Sequence, residues 1–148
     1  MLRMTLLVVA LVLGLARGAE AQSVANELRE FDLLGTWAID CAKPAGHEGR
    51  NTHTIYAAAP SGAVTITYDN GPGPAQTVNT ILSASRQGED RISYLQENQR
   101  TKAQIEIVLV KSGNTIKVWS SRRTTGEVLV RDGKFMVGGE SPRQARCR

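Results

Sequence analysis

The chain has 148 residues, of which 22% are charged and 5% aromatic, and its formal net charge at pH 7 is +4. This length fits one domain with one core and leaves little room for two. Acidic residues are interleaved with the basic ones except in the tail, where Arg143, Arg146 and Arg148 favour a solvated basic end over a nucleic-acid site.

Residues 1–21 have the pattern of a secretory signal peptide. Arg3 precedes an apolar run over residues 6–15, and Ala19-Glu20-Ala21 supplies small residues at a cleavage site. The run is about half the length needed to cross a bilayer, which disfavours a membrane anchor. We therefore expect an exported, periplasmic or extracellular protein whose mature domain, 22–148, has no membrane span.

A short helix is predicted at the start of the mature domain. Val24, Leu28 and Phe31 recur at helical spacing, and Ser23 is available as the N-cap. A helix of about nine residues is not stable alone, so it must pack on the rest of the domain.

The remainder predicts an all-β domain. Short segments rich in Thr, Val, Ile and Tyr end at turn residues, and the predicted strands are 35–42, 51–59, 62–69, 76–84, 90–97, 103–111, 115–122, 127–131 and 134–138. Asp132-Gly133 suits a type I′ turn, whereas the loop 70–74 contains two prolines and must stay open. Gly138-Gly139 is predicted to be a flexible exit toward the C-terminus.

Short connections predict a closed antiparallel meander β-barrel of eight or nine strands, because closure removes both sheet edges. A β-sandwich is the alternative. Val108 and Val110 make the 103–111 strand apolar on its second face as well, which indicates either cover by the helix or a homodimer contact.

The two cysteines predict a disulfide. Cys41 lies at the end of the first strand and Cys147 follows the last. In an oxidising compartment a bond between them would close a loop of roughly 100 residues, worth about 4–5 kcal/mol in the chain-entropy model. It would tie the seam of the barrel.

The segment Leu33-Leu34-Gly35-Thr36-Trp37 opens the first strand after the helix and resembles the Gly-x-Trp start of calycin barrels, such as lipocalins and avidins. Small barrels of bacterial periplasmic protease inhibitors are similar. The resemblance implies that Gly35 permits a close turn and that Trp37 plugs the closed base. It also implies that Arg143 or Arg146 covers the tryptophan.

Both histidines, His47 and His53, lie in the longest connection and are candidate zinc or copper ligands with Asp40 nearby. Their spacing matches no standard ligand pattern, and a disulfide removes the Cys41 thiolate, which favours ordinary polar loop residues. The sequence has no Gly-x-Ser-x-Gly elbow and no other catalytic constellation. We expect neither an enzyme nor a cofactor.

The function that the sequence favours is a non-catalytic barrel for a small apolar or amphipathic ligand. Its mouth would be ringed by the loops 43–50 and 71–74, and its candidate lining residues, which can equally be barrel wall, are Tyr56, Tyr68, Tyr94 and Trp119. The alternative is a protein-interaction module, such as an inhibitor of a secreted hydrolase, that binds through residues 22–33 or exposed loops. The sequence leaves open whether the interior is hollow.

Overall fold

The structure is a computed structural model that describes residue 21 and residues 23–148. The predicted signal peptide lies outside the described residues, apart from its last position. Within the described part of the chain, no helix combines the length and the apolar character needed to cross a membrane.

One helix, α1, covers residues 23–30, and residue 21 is helical too. Ser23 therefore lies within the helix and is not the predicted N-cap. Ten strands follow, with a single 3₁₀ turn, His47–Gly49, between the first two. The strands are β1 Gly35–Ala38, β2 His53–Ala58, β3 Val64–Asp69, β4 Thr77–Arg86, β5 Arg91–Asn98, β6 Gln104–Ser112, β7 Thr115–Arg123, β8 Val128–Arg131, β9 Lys134–Phe135 and β10 Arg143–Arg146.

The strands form a closed eight-stranded antiparallel barrel, which confirms the predicted fold class. Neighbours in the chain pair from β1 to β7, and β10 closes the ring by pairing with both β1 and β7. β8 and β9 continue from the far half of β7 as a hairpin outside this ring. The Asp132-Gly133 turn joins them with positive φ at both residues, 49° and 74°, as predicted.

The closing strand was not predicted. Residues 134–138 were expected to be the last strand, followed by a flexible exit and a solvated basic tail, but β9 has only two residues and Arg143–Arg146 is a barrel strand. Its sequence, Arg-Gln-Ala-Arg, has neither apolar alternation nor β-branched residues. It is a strand because two open sheet edges provide backbone partners on both sides, so tertiary context overrides propensity.

The predicted disulfide is present between Cys41 and Cys147, whose Cα atoms are 5.3 Å apart. It joins the segment after β1 to the residue after β10. The covalent bond therefore lies beside the seam at which the barrel closes.

The base of the barrel is closed by Trp37, which is fully buried. Its indole Nε1 donates to the Leu33 carbonyl oxygen at 2.8 Å, and the Arg146 guanidinium lies 5.8 Å from the ring centre. Gly35 has φ 128°, a backbone conformation that side chains disfavour. Of the two arginines that the resemblance offered as cover for the tryptophan, Arg146 is the one that lies over it.

The helix α1 packs at this base and not on the second face of β6. Glu27 pairs with Arg86 at the end of β4, and Lys111 near the end of β6 donates to the Phe31 carbonyl oxygen at 3.0 Å. Val108 instead lines a depression on the outer wall beside β8. Helix cover of Val108 was therefore a wrong expectation, and the homodimer contact stays a prediction.

Candidate ligand-binding cavity

A half-open cavity of about 220 Å³ lies inside the barrel and opens at the end opposite α1. All three tyrosines of the chain contribute to its lining. The wall is formed by Thr54, Tyr56, Tyr68, Tyr94, Ile107, Leu109, Ile116, Val118 and Gln144, and the mouth by Ile39, Arg50, Thr52, Phe135, Ser141 and Pro142.

Strand alternation brings these side chains together. Successive residues of a strand point to opposite faces, so Thr54 and Tyr56 of β2 share the interior face. Ile107 and Leu109 of β6 do the same, and Leu109 pairs with Val118 across the β6–β7 ladder. The wall is consequently apolar on the β6–β7 side and carries hydroxyl groups on the β2 side.

The phenols form two hydrogen-bonded units inside the barrel. The hydroxyls of Tyr56 and Tyr94 are 3.0 Å apart, with their rings edge to face, and the Tyr68 hydroxyl donates to Gln96 Oε1 at 3.0 Å. Burial raises the pKa of all three tyrosines above the ordinary value. They are therefore neutral hydrogen-bonding groups at physiological pH.

Further polar and charged groups of the wall and the mouth complete the lining. Gln144 Nε2 donates to Thr54 Oγ1 at 3.1 Å. Ser141 is 3% exposed, and its Oγ has no hydrogen-bond partner among the described residues. Arg50 is the one charged residue that the structure places in the lining, which contains no carboxylate. The described lining is therefore rich in donors and carries a positive charge.

Trp119 does not line the cavity, unlike the three tyrosines with which it was grouped. Trp119 is the extra residue of a β-bulge, because Leu109 pairs with Val118 and Val108 with Ser120, and its ring lies on the outer side of the wall beside Gly133. The Arg91 guanidinium lies 5.8 Å from its ring centre.

The loop 71–74 does not line the cavity either. The loops 43–50 and 70–71 instead pack backbone against backbone, so tightly that a Cβ on Gly46 would collide with the Asn70 carbonyl. Only Arg50 of the first loop reaches the cavity, and Ile39 and Phe135 complete the apolar part of the rim. Both are partly exposed, at 46% and 40%.

Asn51 holds the loop that carries Arg50, and its role was missed in the sequence. Its side chain is buried, and Nδ2 donates to the carbonyl oxygens of Asp40, Lys43 and Pro44 at 2.9–3.2 Å. Its Oδ1 accepts the Asp40 N–H at 3.1 Å. An asparagine in a glycine- and proline-containing loop was the sole sequence signal.

The histidines do not assemble a metal site. His53 begins β2, and its Nε2 lies 3.1 Å from the Lys43 carbonyl oxygen. His47 lies 3.6 Å from Glu48. Nowhere in residue 21 and residues 23–148 do three or more His, Cys, Asp or Glu side chains converge as metal ligands would. Cys41 is engaged in the disulfide.

No protein-family model, no curated protein and no solved structure matches the chain. The fold and the cavity define the protein at the level of a closed eight-stranded antiparallel β-barrel with one N-terminal helix. The likeness to calycins is a sequence resemblance carried by Gly35-Thr36-Trp37.

Proposed function

We propose that this protein is an exported, non-catalytic binding barrel that holds a small apolar or amphipathic molecule in its interior. The observation that carries the proposal is the cavity: apolar side chains form most of one wall, and a few hydroxyl groups converge from the other. Concave apolar sites with few, well-placed polar groups are typical of small-molecule binding.

The volume bounds the ligand. A cavity of about 150 Å³ in a protein core is enough to admit benzene, and drug-sized ligands use roughly 300–1,000 Å³. At about 220 Å³, the interior suits a molecule of roughly nine non-hydrogen atoms, scaled from the benzene case. Longer molecules would have to project through the mouth.

The chemistry of the lining supports binding more than catalysis. General acid–base catalysis at neutral pH works best with a group whose pKa lies near 7. The described lining contains no His, Cys, Asp, Glu or Lys. Its phenols are held neutral by their raised pKa values.

Export is supported by two independent features. The Cys41–Cys147 disulfide is of the kind that persists in oxidising compartments. Residues 1–21 have the order of basic, apolar and small residues that a secretory signal peptide shows.

The proposal is tested by filling the cavity. Calorimetric titration with 4-ethylphenol should show binding to the wild-type protein, and Val118→Phe, which adds bulk to the wall, should weaken it at least about tenfold. Val128→Phe is the matched control, because Val128 lies in β8 on the outer wall. Absence of binding by the wild type, or equal affinities for wild type and Val118→Phe, would contradict the proposal.

A protein-binding role, such as inhibition of a secreted hydrolase, is the alternative, and one observation favours it. Phe135, Met136 and Val137 are consecutive and exposed, Val137 at 97%. The apolar face of α1, by contrast, is buried in the base. If the alternative holds, replacing Met136 and Val137 by Ser should abolish inhibition of secreted proteases, and Val118→Phe should leave it unchanged.

A further inference from the structure

Resting on the proposed function, we infer that the ligand is a small organic carboxylate, with its carboxylate bound at the mouth by Arg50 and its apolar body in the barrel. Two features of the lining favour this chemical class: an unpaired positive charge at the mouth and hydrogen-bond donors without acceptors.

Arg50 supplies the charge. No carboxylate oxygen of the described residues lies within 4.0 Å of its guanidinium. Asp40 and Glu48 line a neighbouring surface depression with Arg50, but Glu48 contacts His47 instead, at 3.6 Å. An unpaired guanidinium offers a planar fork of N–H donors that matches a carboxylate.

The hydroxyl groups have hydrogens left over. Tyr56 and Tyr94 share one hydrogen bond, so one of their two O–H hydrogens finds no acceptor among the described residues. Thr54 Oγ1 accepts a hydrogen bond from Gln144, and the hydroxyl hydrogen of Thr54 also has no acceptor among the described residues. Ser141 Oγ is unpartnered. A ligand that satisfies this lining must provide acceptors.

The position of Arg50 determines which end of the cavity the ligand carboxylate occupies. Burying a carboxylate at depth, among neutral phenols, would remove it from water without an opposite charge, which is costly. Arg50 is exposed at the mouth, so a carboxylate there is paired and still partly hydrated. The interior hydroxyls then favour a neutral acceptor, such as a phenol oxygen, at the far end of the ligand.

The probe that matches these requirements is 4-hydroxyphenylacetate, and its neutral isostere is 4-hydroxyphenylacetamide. We expect calorimetry at neutral pH and low salt to show that the wild-type protein binds the acid at least about tenfold more tightly than the amide. Arg50→Gln should remove most of this preference. Arg50→Lys should retain part of it, because the charge remains while the planar fork is lost.

The matched control is Arg100→Gln. Arg100 is an exposed arginine in the turn between β5 and β6 and does not line the cavity. This variant removes the same charge and should leave the preference for the acid intact. Circular dichroism would verify that both variants fold, as expected for exposed positions.

Two results would overturn the inference and leave the proposed function standing: equal binding of acid and amide by the wild type, or an unchanged preference in Arg50→Gln. Binding of neither compound would also overturn it. The titration with 4-ethylphenol then decides the proposed function separately, because that ligand carries no carboxylate.

Discussion

The guanidinium of Arg146 lies over the ring of Trp37, 5.8 Å from its centre, and donates to the Leu34 carbonyl oxygen at 2.7 Å. It also bonds the carboxylate of Asp32. One side chain thus ties the closing strand β10 to the plug of the base and to the turn after α1. Since Ala145 is the only apolar residue of β10, this attachment replaces the apolar contacts that the other strands make.

Replacing Arg146 by Ala should destabilise the barrel by about 1–3 kcal/mol, because the Leu34 carbonyl loses its donor and Trp37 loses its cover. Urea unfolding would measure the loss. Arg143→Ala is the control, since Arg143 lies on the same strand but is exposed. Equal losses for the two variants would show that Arg146 has no special role.

Stability at low pH should depend on Asp32. The hydrogen bond from Arg146, and the charge of Lys111 at 3.6 Å, hold the pKa of this carboxyl below its ordinary value of 3.8. Its stabilisation is therefore present above that value and is lost as the pH falls through the lower folded pKa. The side chain is 58% exposed, so the effect is at most about 1 kcal/mol.

Asp32→Asn tests this directly, because asparagine tolerates the positive φ of 59° at this position. We expect the variant to be less stable than the wild type at neutral pH and the two unfolding curves to converge at an acidic pH at which the Asp32 carboxyl of the folded protein is protonated. A difference that persists unchanged at that pH would contradict the account.

The three tyrosines should resist ionisation while the barrel is folded. Burial raises their pKa values above the ordinary 10.0, so the stability associated with their neutral forms is present below that value and declines as the pH rises past it. Tyrosinate absorbance should therefore appear together with alkaline unfolding. In urea the phenols should titrate near their ordinary pKa. Reversible ionisation near pH 10 in the folded protein would refute the burial of the three phenols.

Loss of the disulfide should be among the most damaging single changes. Cys41 and Cys147 are separated by 106 residues, and a loop of that length corresponds to about 4–5 kcal/mol in the chain-entropy model. Cys41→Ser and Cys147→Ser should therefore lower the free energy of unfolding by similar amounts. An unfolding curve unaffected by a reducing agent would argue that the seam holds without the bond.

The barrel was predictable from the sequence because local signals agreed along most of it. The segments rich in Thr, Val, Ile and Tyr, the Asp132-Gly133 turn and the short connections all indicated an antiparallel meander. β10 was not predictable, because Arg-Gln-Ala-Arg becomes a strand only once the edges of β1 and β7 are in place. Its identification needed the closed ring.

The cavity likewise was predictable only in part. The sequence analysis named three tyrosines as candidate lining residues, since each lies in a predicted strand. They are Tyr56, Tyr68 and Tyr94, and all three line the cavity. The loop 43–50 was expected at the mouth, but Arg50 and Ser141 were not singled out as lining residues, because their positions depend on how the loop held by Asn51 and the segment after β9 meet there. No local sequence pattern predicts the contact between these two segments.

The central claim is that the barrel is hollow and accepts a small molecule, and the most direct measurement is a crystal structure under xenon pressure. Apolar protein cavities of comparable size take up xenon. We expect a xenon site against Ile107, Leu109 and Ile116 in the wild-type protein and its loss in Val118→Phe. An interior filled by the protein's own side chains, with no xenon inside the barrel, would contradict the account.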